Sequence, residues 1–280
     1  MARNVAESLT EVEDLEITLL LEGIYKQYGF DFRNYARASL RRRILRRVEA
    51  EGLGSISRLL DKVLRDRNSM EQLLLTLTIH VTAMFRDPEF YVAFRAKVVP
   101  LLKTYPFIRI WHAGCSSGEE VYSMAILLEE EGIYDRCRVY ATDLSEAVLH
   151  TAQTGIFPLA PMKEYTENYL RAGGKRSLSD YYKAKYDNVL FSPSLRHNVV
   201  FAQHDLVTGG SFNEFNVIVC RNVMIYFDKV LQDRVHGLFY QSLARLGVLG
   251  LGLKESLRFT PHEAHYSELD RHQKLYRKTL

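Results

Sequence analysis

The chain of 280 residues has few cysteines, one tryptophan and no long hydrophobic run. Its three cysteines are odd in number and lack CxxC spacing, which argues against a disulfide scaffold or a cysteine zinc site. The nine histidines also lack metal-ligand spacing, so we expect no metal. No apolar run approaches the roughly 18 residues of a membrane span. The N-terminus has acids in place of an apolar signal core, and we expect a cytoplasmic protein without membrane insertion.

Acidic residues are absent from one N-terminal segment, residues 33–47, which contains seven arginines. The rest of the chain has 30 basic and 34 acidic residues, so the positive charge is concentrated in this segment. At helical spacing four of its arginines lie opposite an apolar arc: Arg42, Arg43, Arg46 and Arg47. Arg41 falls within the apolar arc, where only its aliphatic stem could be buried. Such a face fits nucleic acid or an acidic protein helix, and a merely solvated face is the third alternative.

Two kinds of periodicity divide the chain. Apolar residues recur at helical spacing up to about residue 102, and strands alternate with helices beyond Pro106. This pattern predicts domains of residues 1–102 and 103–280, the second with a mostly parallel sheet and a final edge strand from the tail HQKLYRKTL. The alternation stops between residues 155 and 198, a tyrosine-rich stretch. We interpret it either as a solvent-exposed insertion or as a docking subdomain whose tyrosines contact a partner.

The segment HAGCSSGEE, residues 112–120, carries the first functional signal. It joins a predicted strand, FIRIW, to a predicted helix, EEVYSMAILLEE, and such a turn forms a ligand crevice at the end of a parallel strand. Gly114 and Gly118 would let the backbone approach a ligand, whereas Glu119 and Glu120 would repel a phosphate. The turn therefore favours a ligand with an adenosine and a cation, such as S-adenosylmethionine. A plain strand-to-helix connection is the alternative.

Asp143 ends the next predicted strand, RVYATDL. An acid at this place typically accepts hydrogen bonds from ribose hydroxyls. Asp143 lies beyond the usual spacing of about 20 residues from the glycine turn, and the intervening helix and loop can absorb the difference. Alternatively, Asp143 caps the helix that follows, and both roles could hold together.

Further strands are predicted at VVFAQHD, NVIVCRN and GVLGLGL, with a helix between the last two. Arg221, Asn222 and Tyr226 follow the NVIVCRN strand, on the face where open sheets bind ligands. Enzymes that methylate amino groups of nucleic-acid bases often have an Asn/Asp-Pro-Pro-aromatic motif here, but no proline follows Asn222. A flipped base is therefore a poor candidate substrate, and we expect no nucleic-acid partner.

Several motifs in one order resemble the bacterial chemotaxis-receptor glutamate methyltransferases, the CheR type. They are VTAMFRD (81–87), GCSSGEEVYS (114–123), ATDLS (141–145), FAQHDL (201–206), CRNVMIYF (220–227) and LGLKESL (251–257). The resemblance implies an all-helical N-terminal domain followed by an α/β, Rossmann-like S-adenosylmethionine-dependent methyltransferase domain with a small inserted β-subdomain. It also implies O-methylation of glutamate side chains on chemoreceptor-like proteins, which yields methyl esters and S-adenosylhomocysteine.

The resemblance assigns roles to individual residues of this chain. Cofactor contacts are expected from His80, Thr82, Arg86, Gly114, Glu119, Asp143, Asp205, Leu206, Arg221 and Asn222. Arg86 and Tyr226 match the positions nearest the reacting methyl and are the catalytic candidates. Without the resemblance, Arg86 would be interpreted as a surface ion pair with Asp87 or Glu89, and Tyr226 as a core aromatic.

The expected partners are cytoplasmic helices of methyl-accepting chemoreceptors, and the protein is expected to act as a monomer. Glu-rich receptor helices would suit a docking surface formed by Arg42, Arg43 and Arg46. The sequence also departs from the family pattern, because His80 and Asp205 stand where asparagine is common. These departures support an alternative in which the chain is a non-catalytic cofactor-sensing or scaffolding module.

Overall fold

The computed structural model describes the backbone of residues 2–279 and the side chains of residues 10–279. The chain forms two compact units. The first consists of the chain up to Ile79 together with Tyr226–Gln232, and the second of His80–Ile225 together with the chain from Asp233 onward. The division between Ile79 and His80 precedes the boundary that the sequence predicted near residue 103.

The first unit is helical, as predicted. Its helices are α1 Ala2–Tyr28, α2 Arg37–Ala50, α3 Ile56–Arg65 and α4 Arg67–Leu77. Ile17, Leu20 and Ile24 on one face of α1 are fully buried, as are Leu59 and Val63 of α3. This spacing of three and four residues is the pattern from which the helices were predicted.

Tyr226–Gln232 joins the first unit through contacts that no local pattern predicts. The backbone N–H of Ala36 donates to the Tyr226 carbonyl at 2.8 Å, and Asp228 N–H donates to the Asn34 carbonyl at 2.9 Å. The rings of Tyr35 and Phe227 meet edge to face, with centroids 4.8 Å apart. The segment therefore completes the N-terminal unit, although it follows a strand of the second unit in sequence.

The second unit contains a seven-stranded sheet in the order β6-β2-β1-β7-β8-β10-β9. Its strands are β1 Ile108–Ala113, β2 Cys137–Asp143, β6 Val199–Gln203, β7 Phe215–Cys220, β8 Leu243–Leu251, β9 Tyr266–Asp270 and β10 Leu275–Lys278. The first five strands in this order pair in parallel, and β10 pairs antiparallel with both β8 and β9. The predicted tail strand is thus present as β10, but β9 is the edge; Leu280 lies outside the described residues.

Helices cover this sheet: α5 Pro88–Ala93, α6 Val99–Leu102, α7 Glu119–Glu130, α8 Glu146–Thr154 and α10 Lys229–Ser242, with a π-helical turn at Phe94–Val98. Phe90, Tyr91 and Phe94 are buried in the same hydrophobic core as Ile108 and Ile110 of β1. The segment before residue 103 therefore packs with the sheet, which explains why the boundary lies earlier than predicted.

The strands β3 Ile156–Pro158, β4 Tyr182–Lys185 and β5 Asn188–Phe191 form a small antiparallel sheet beside α9 Met162–Arg171. This confirms the inserted β-subdomain. Three of its tyrosines, Tyr165, Tyr169 and Tyr181, are buried, and two of them donate to Glu130 on α7. The interpretation of these three as partner-docking residues is wrong, because they anchor the insertion to the sheet domain.

Candidate functional site

The glycine turn lies where β1 and β2 end side by side. Gly114 N–H donates to the Thr142 carbonyl at 2.8 Å, and Ser116 N–H donates to Oδ2 of Asp143 at 2.8 Å. Gly114 has a φ of +78°, and a Cβ there would lie 2.5 Å from Val223, in the turn after β7. The carboxyl ends of three adjacent strands thus meet at Gly114, and the strand order turns back here, where open sheets bind ligands.

Asp143 is a buried carboxylate at the end of β2. Besides the Ser116 bond, its Oδ1 accepts a hydrogen bond from Ser145 N–H at 3.1 Å. Ser145, not Asp143, is the N-cap residue of α8, so the capping alternative is wrong. Each carboxylate oxygen has lone pairs beyond the one that is used, so Asp143 can still accept bonds from two ligand hydroxyls.

The two adjacent glutamates at the start of α7 have pKa values that are shifted in opposite directions. Glu119 is buried, burial raises its pKa, and Ser117 Oγ donates to its carboxylate at 2.7 Å. Burial would also raise the pKa of Glu120, but hydrogen bonds from His112 and Arg221 outweigh that effect and lower it. Glu120 is therefore a paired anion, and Glu119 is the acid with few protein partners.

Arg221 forms a buried network just past β7. Its guanidinium donates to Glu120 at 3.0 Å, to Asp87 at 2.7 Å and to the Arg86 carbonyl at 2.9 Å. It also lies 4.3 Å from the centre of the Phe90 ring. Arg221 thus ties the end of β7 to the segment before α5, and its contact with the cofactor stays a prediction. The sequence did not predict this network.

Arg86 lies at the start of the second unit, and no carboxylate in the part of the chain whose side chains are described, residues 10–279, pairs with it. Its Nη1 donates to the Val81 carbonyl at 2.9 Å. Asp87 pairs with Arg221, and Glu89 pairs with Arg171 at 2.7 Å. The alternative of a surface ion pair for Arg86 with Asp87 or Glu89 is therefore wrong.

His80 and Thr82 lie in the same segment and are both partly buried. Burial lowers the pKa of His80, and the nearby negative charge of Asp143 acts in the opposite direction. His80 therefore lies close enough to Asp143 for the carboxylate to act on its pKa. The structure thus brings two predicted cofactor residues, His80 and Asp143, close to each other.

Asp205 and Leu206 follow β6, next to the end of β2. Gln203 pairs with Asp143 across the two strands, and His204 N–H donates to the Asp143 carbonyl at 3.1 Å. The Asp205 carboxylate accepts bonds from Val207 N–H and from the Thr208 hydroxyl. Asp205 therefore stabilises the turn in which it lies, a role that the sequence did not predict. This turn lies beside the end of β2, where Asp143 is found.

The turn after β7 is held by a residue that the sequence did not single out. Asn222 has a φ of +62°, and the N–H groups of Asn222, Val223 and Met224 all donate to the buried carboxylate of Glu255. Burial raises the pKa of Glu255, while these backbone bonds act in the opposite direction. The only sequence signal is the acid that follows the apolar strand and Lys254 in the motif LGLKESL.

Tyr226 belongs to the first unit, where the Arg43 guanidinium lies 5.2 Å from the centre of its ring. Its side chain is partly buried. Arg86 belongs to the second unit, so the catalytic pairing of Arg86 with Tyr226 stays a prediction.

The predicted docking arginines on α2 do not form one exposed set. Arg42 and Arg46 are exposed, and no described carboxylate among residues 10–279 pairs with either. Arg43 is buried and donates to the Leu77 carbonyl and to the Ser39 hydroxyl. Arg43 is therefore wrong as a docking residue, because α2 packs that side against the end of α4.

Most other arginines of the segment have partners within the first unit. Arg33 pairs with Asp31 and Glu22, Arg41 with Glu13, and Arg47 with Glu51. The exposed positive surface is thus narrower than the seven arginines suggested.

The residues at this edge fit S-adenosylmethionine. Gly114 and Gly118 occupy positions where a Cβ would lie within 3 Å of neighbouring side chains. Among residues 10–279, no lysine or arginine pairs with Asp143 or Glu119, and two acidic groups at this edge suit ribose hydroxyls and a cationic ligand and disfavour a phosphate. Among the described residues, no three His, Cys, Asp or Glu side chains could hold a metal ion, and no helix is long and apolar enough to cross a membrane.

Comparison with known proteins agrees with this geometry. Residues 80–273 match the family model described as "CheR methyltransferase, SAM binding domain", and residues 15–78 match "CheR methyltransferase, all-alpha domain". The Pseudomonas putida protein Cher3 is 49% identical, over 95% of this chain and 97% of its own length. The chemotaxis protein methyltransferase of Listeria innocua is 30% identical over 84% and 87%, and that of Salmonella typhimurium is 29% identical over 96% and 90%.

Proposed function

The chain belongs to the CheR methyltransferase family and is an S-adenosylmethionine-dependent methyltransferase of the chemotaxis type, and on that premise we propose that it methylates glutamate side chains of chemoreceptors. The product is a glutamyl methyl ester, and the cofactor leaves as S-adenosylhomocysteine. The observation that carries the proposal is an acidic edge in the same unit as Arg86, an arginine with which no carboxylate among residues 10–279 pairs.

The chemistry needs few groups from the protein. The cofactor supplies a methyl group on a positively charged sulfur, and a glutamate carboxylate, with a usual pKa near 4.3, is already ionised at neutral pH. No general base is required. Catalysis then depends on holding the carboxylate oxygen in line with the methyl group and on excluding water, which can lower the barrier by up to several kcal/mol.

Arg86 is the group that we assign to the incoming carboxylate. Its guanidinium donates to the Val81 carbonyl, and its remaining N–H groups can orient a substrate carboxylate by charge-assisted bonds. We assign Tyr226 to the wall beside the reacting methyl. Asp143 would hold the ribose, and Glu119 would stabilise a positive group of the cofactor.

Receptor recognition is assigned to the exposed arginines of α2. Arg42 and Arg46 would attract the Glu-rich helices of a receptor's cytoplasmic region and speed the encounter. Nucleic acid is also negatively charged and could bind the same arginines, so an experiment must distinguish a receptor helix from a nucleic acid as the partner.

The decisive test is transfer of a labelled methyl group. Purified protein is incubated with methyl-labelled S-adenosylmethionine and the cytoplasmic fragment of a chemoreceptor, and the product is treated with alkali. We expect label that alkali releases as methanol, as methyl esters require, and loss of this label when the receptor's methylation-region glutamates are changed to alanine. Binding of cofactor without any transfer would replace the proposal with the non-catalytic sensing or scaffolding module.

A further inference from the structure

Glu255 concentrates four hydrogen bonds on one buried side chain. It follows β8, and its carboxylate accepts from Gly252 N–H at 2.7 Å, Asn222 N–H at 3.0 Å, Val223 N–H at 2.9 Å and Met224 N–H at 2.8 Å. All four donors are backbone groups, and three are consecutive. Bonds from N–H groups to a carboxylate are stronger than neutral ones, so this side chain fixes the backbone after β7.

The surrounding backbone is shaped to admit this carboxylate. At Gly252 a Cβ would lie 2.7 Å from Oε2 of Glu255 and 2.8 Å from the backbone nitrogen of Asn222. Asn222 itself adopts a left-handed conformation, which is strained for a residue other than glycine and persists where neighbours enforce it. The four bonds supply that enforcement.

The turn that Glu255 holds touches the glycine turn of the cofactor edge. Val223 is the residue that a Cβ on Gly114 would meet at 2.5 Å. A displacement of residues 222–224 would therefore move Val223 against Gly114, as well as moving Asn222. Glu255 therefore acts on the cofactor edge indirectly, because its carboxylate holds the backbone N–H groups of this turn.

We propose that Glu255 is a positioning residue that sets cofactor affinity by holding Asn222, Val223 and Met224 against the glycine turn. The inference rests on the proposed place of Asn222 beside the cofactor. It does not depend on which protein accepts the methyl group, because cofactor binding can be measured without an acceptor.

The test is Glu255→Gln, with Glu268→Gln on the exposed edge strand β9 as the matched control. Gln places an NH2 group where a backbone N–H now donates, so at least one bond becomes a repulsion. We expect S-adenosylhomocysteine to bind about tenfold more weakly, and the KM for S-adenosylmethionine to rise by a similar factor, with the receptor KM unchanged. Trp111, the only tryptophan, donates to Thr142 beside Asp143 and gives a fluorescence signal for binding.

A merely structural role would reduce the amount of active protein, and thus kcat, without changing either KM. If folded Glu255→Gln binds S-adenosylhomocysteine as the wild type does, the inference is overturned. If the variant does not fold, Glu255→Asp decides, because it keeps the charge and shortens the side chain by one methylene, so that the carboxylate no longer reaches all four N–H groups. Weaker binding in Glu255→Asp supports the inference, and unchanged binding overturns it. A wild type that binds cofactor but methylates no receptor would contradict only the proposed substrate.

Discussion

The carboxylate of Asp143 accepts a hydrogen bond from the backbone N–H of Ser116 at 2.8 Å, across 27 positions of sequence. This bond joins the acid at the end of β2 to the glycine turn after β1. It explains why the longer spacing between the two motifs does not separate them, since the intervening helix α7 and its loop bring the chain back to an adjacent parallel strand. The ligand edge is therefore formed by two strand ends acting together.

Replacing Asp143 by Ala should weaken binding of S-adenosylhomocysteine by tenfold or more. The change removes the proposed charged acceptor of ribose hydroxyls, whose bonds would be worth about 1.5–3 kcal/mol, and it also removes the hydrogen bond from Ser116 N–H. Calorimetry on the folded variant measures the effect. Asp187→Ala, an exposed acid in the β4–β5 hairpin, is the control and should bind normally. An affinity for Asp143→Ala equal to wild type would remove Asp143 from the site.

Arg86→Ala and Tyr226→Phe should reduce methyl transfer much more than cofactor binding. Arg86 is expected to orient the substrate carboxylate, so its loss should lower kcat/KM by on the order of a hundredfold if two charge-assisted bonds are lost. Single-turnover methylation and calorimetry are measured on the same preparations. Arg171→Ala removes an exposed arginine that pairs with Glu89 and serves as the control. Wild-type turnover in both variants would show that the catalytic assignment is wrong.

Glu120→Gln should destabilise the second unit strongly. Arg221 would remain buried with only Asp87 as an anionic partner, and breaking a buried pair costs about 3–5 kcal/mol. Because the pKa of Glu120 is lowered on folding, its contribution is present above the unfolded-state pKa and is lost as the pH falls through the folded-state pKa.

Urea unfolding at neutral and at acidic pH measures this contribution. The gap between wild type and Glu120→Gln should be large at neutral pH and shrink on acidification. Glu129→Gln lies on the same helix, where Glu129 faces Arg176 at 3.6 Å across a more exposed pair, and should change stability little. Equal free energies of unfolding for Glu120→Gln and wild type at neutral pH would show that the Glu120–Arg221 ion pair does not stabilise the second unit.

The parts of the fold that local signals define were predictable. Helix α7 begins and ends where its apolar spacing and the preceding glycine turn placed it. Strand β8 begins at Leu243, four residues before the predicted strand GVLGLGL. Pairing with Phe215 across the sheet decides this boundary, and that contact is invisible to a local pattern.

Some site residues could likewise be predicted from a local sequence signal, and others depend on contacts with distant parts of the chain. Asp143 could be predicted because strand-end acids recur at one place in this kind of fold. Glu255 could not, because its partners are backbone N–H groups that any residue at 222–224 would present. The burial of Arg43 depends on the Leu77 carbonyl at the end of another helix, and helical periodicity on α2 does not specify that neighbour.

Arg42→Ala with Arg46→Ala should raise the receptor KM for methylation and leave cofactor binding unchanged. Both side chains are exposed, so the change removes two charges from the proposed docking surface without opening a core. The wild-type KM should itself rise with salt, because exposed charges are screened within about 8–10 Å at physiological ionic strength. The double variant should show a weaker salt dependence. Arg43→Ala is expected to differ, lowering stability, because it leaves the Leu77 carbonyl without its donor.

The control is Arg65→Ala with Arg67→Ala, which removes the same charge from exposed positions elsewhere in the first unit. If the position of the α2 arginines matters, only the Arg42→Ala and Arg46→Ala double variant has a raised receptor KM. If net charge alone matters, the control double variant has an equally raised receptor KM. Duplex DNA binding is measured separately on each variant, since salt weakens binding to DNA as well. Sequence-preferring duplex binding that Arg42→Ala with Arg46→Ala abolishes, while methylation is untouched, would assign this surface to nucleic acid.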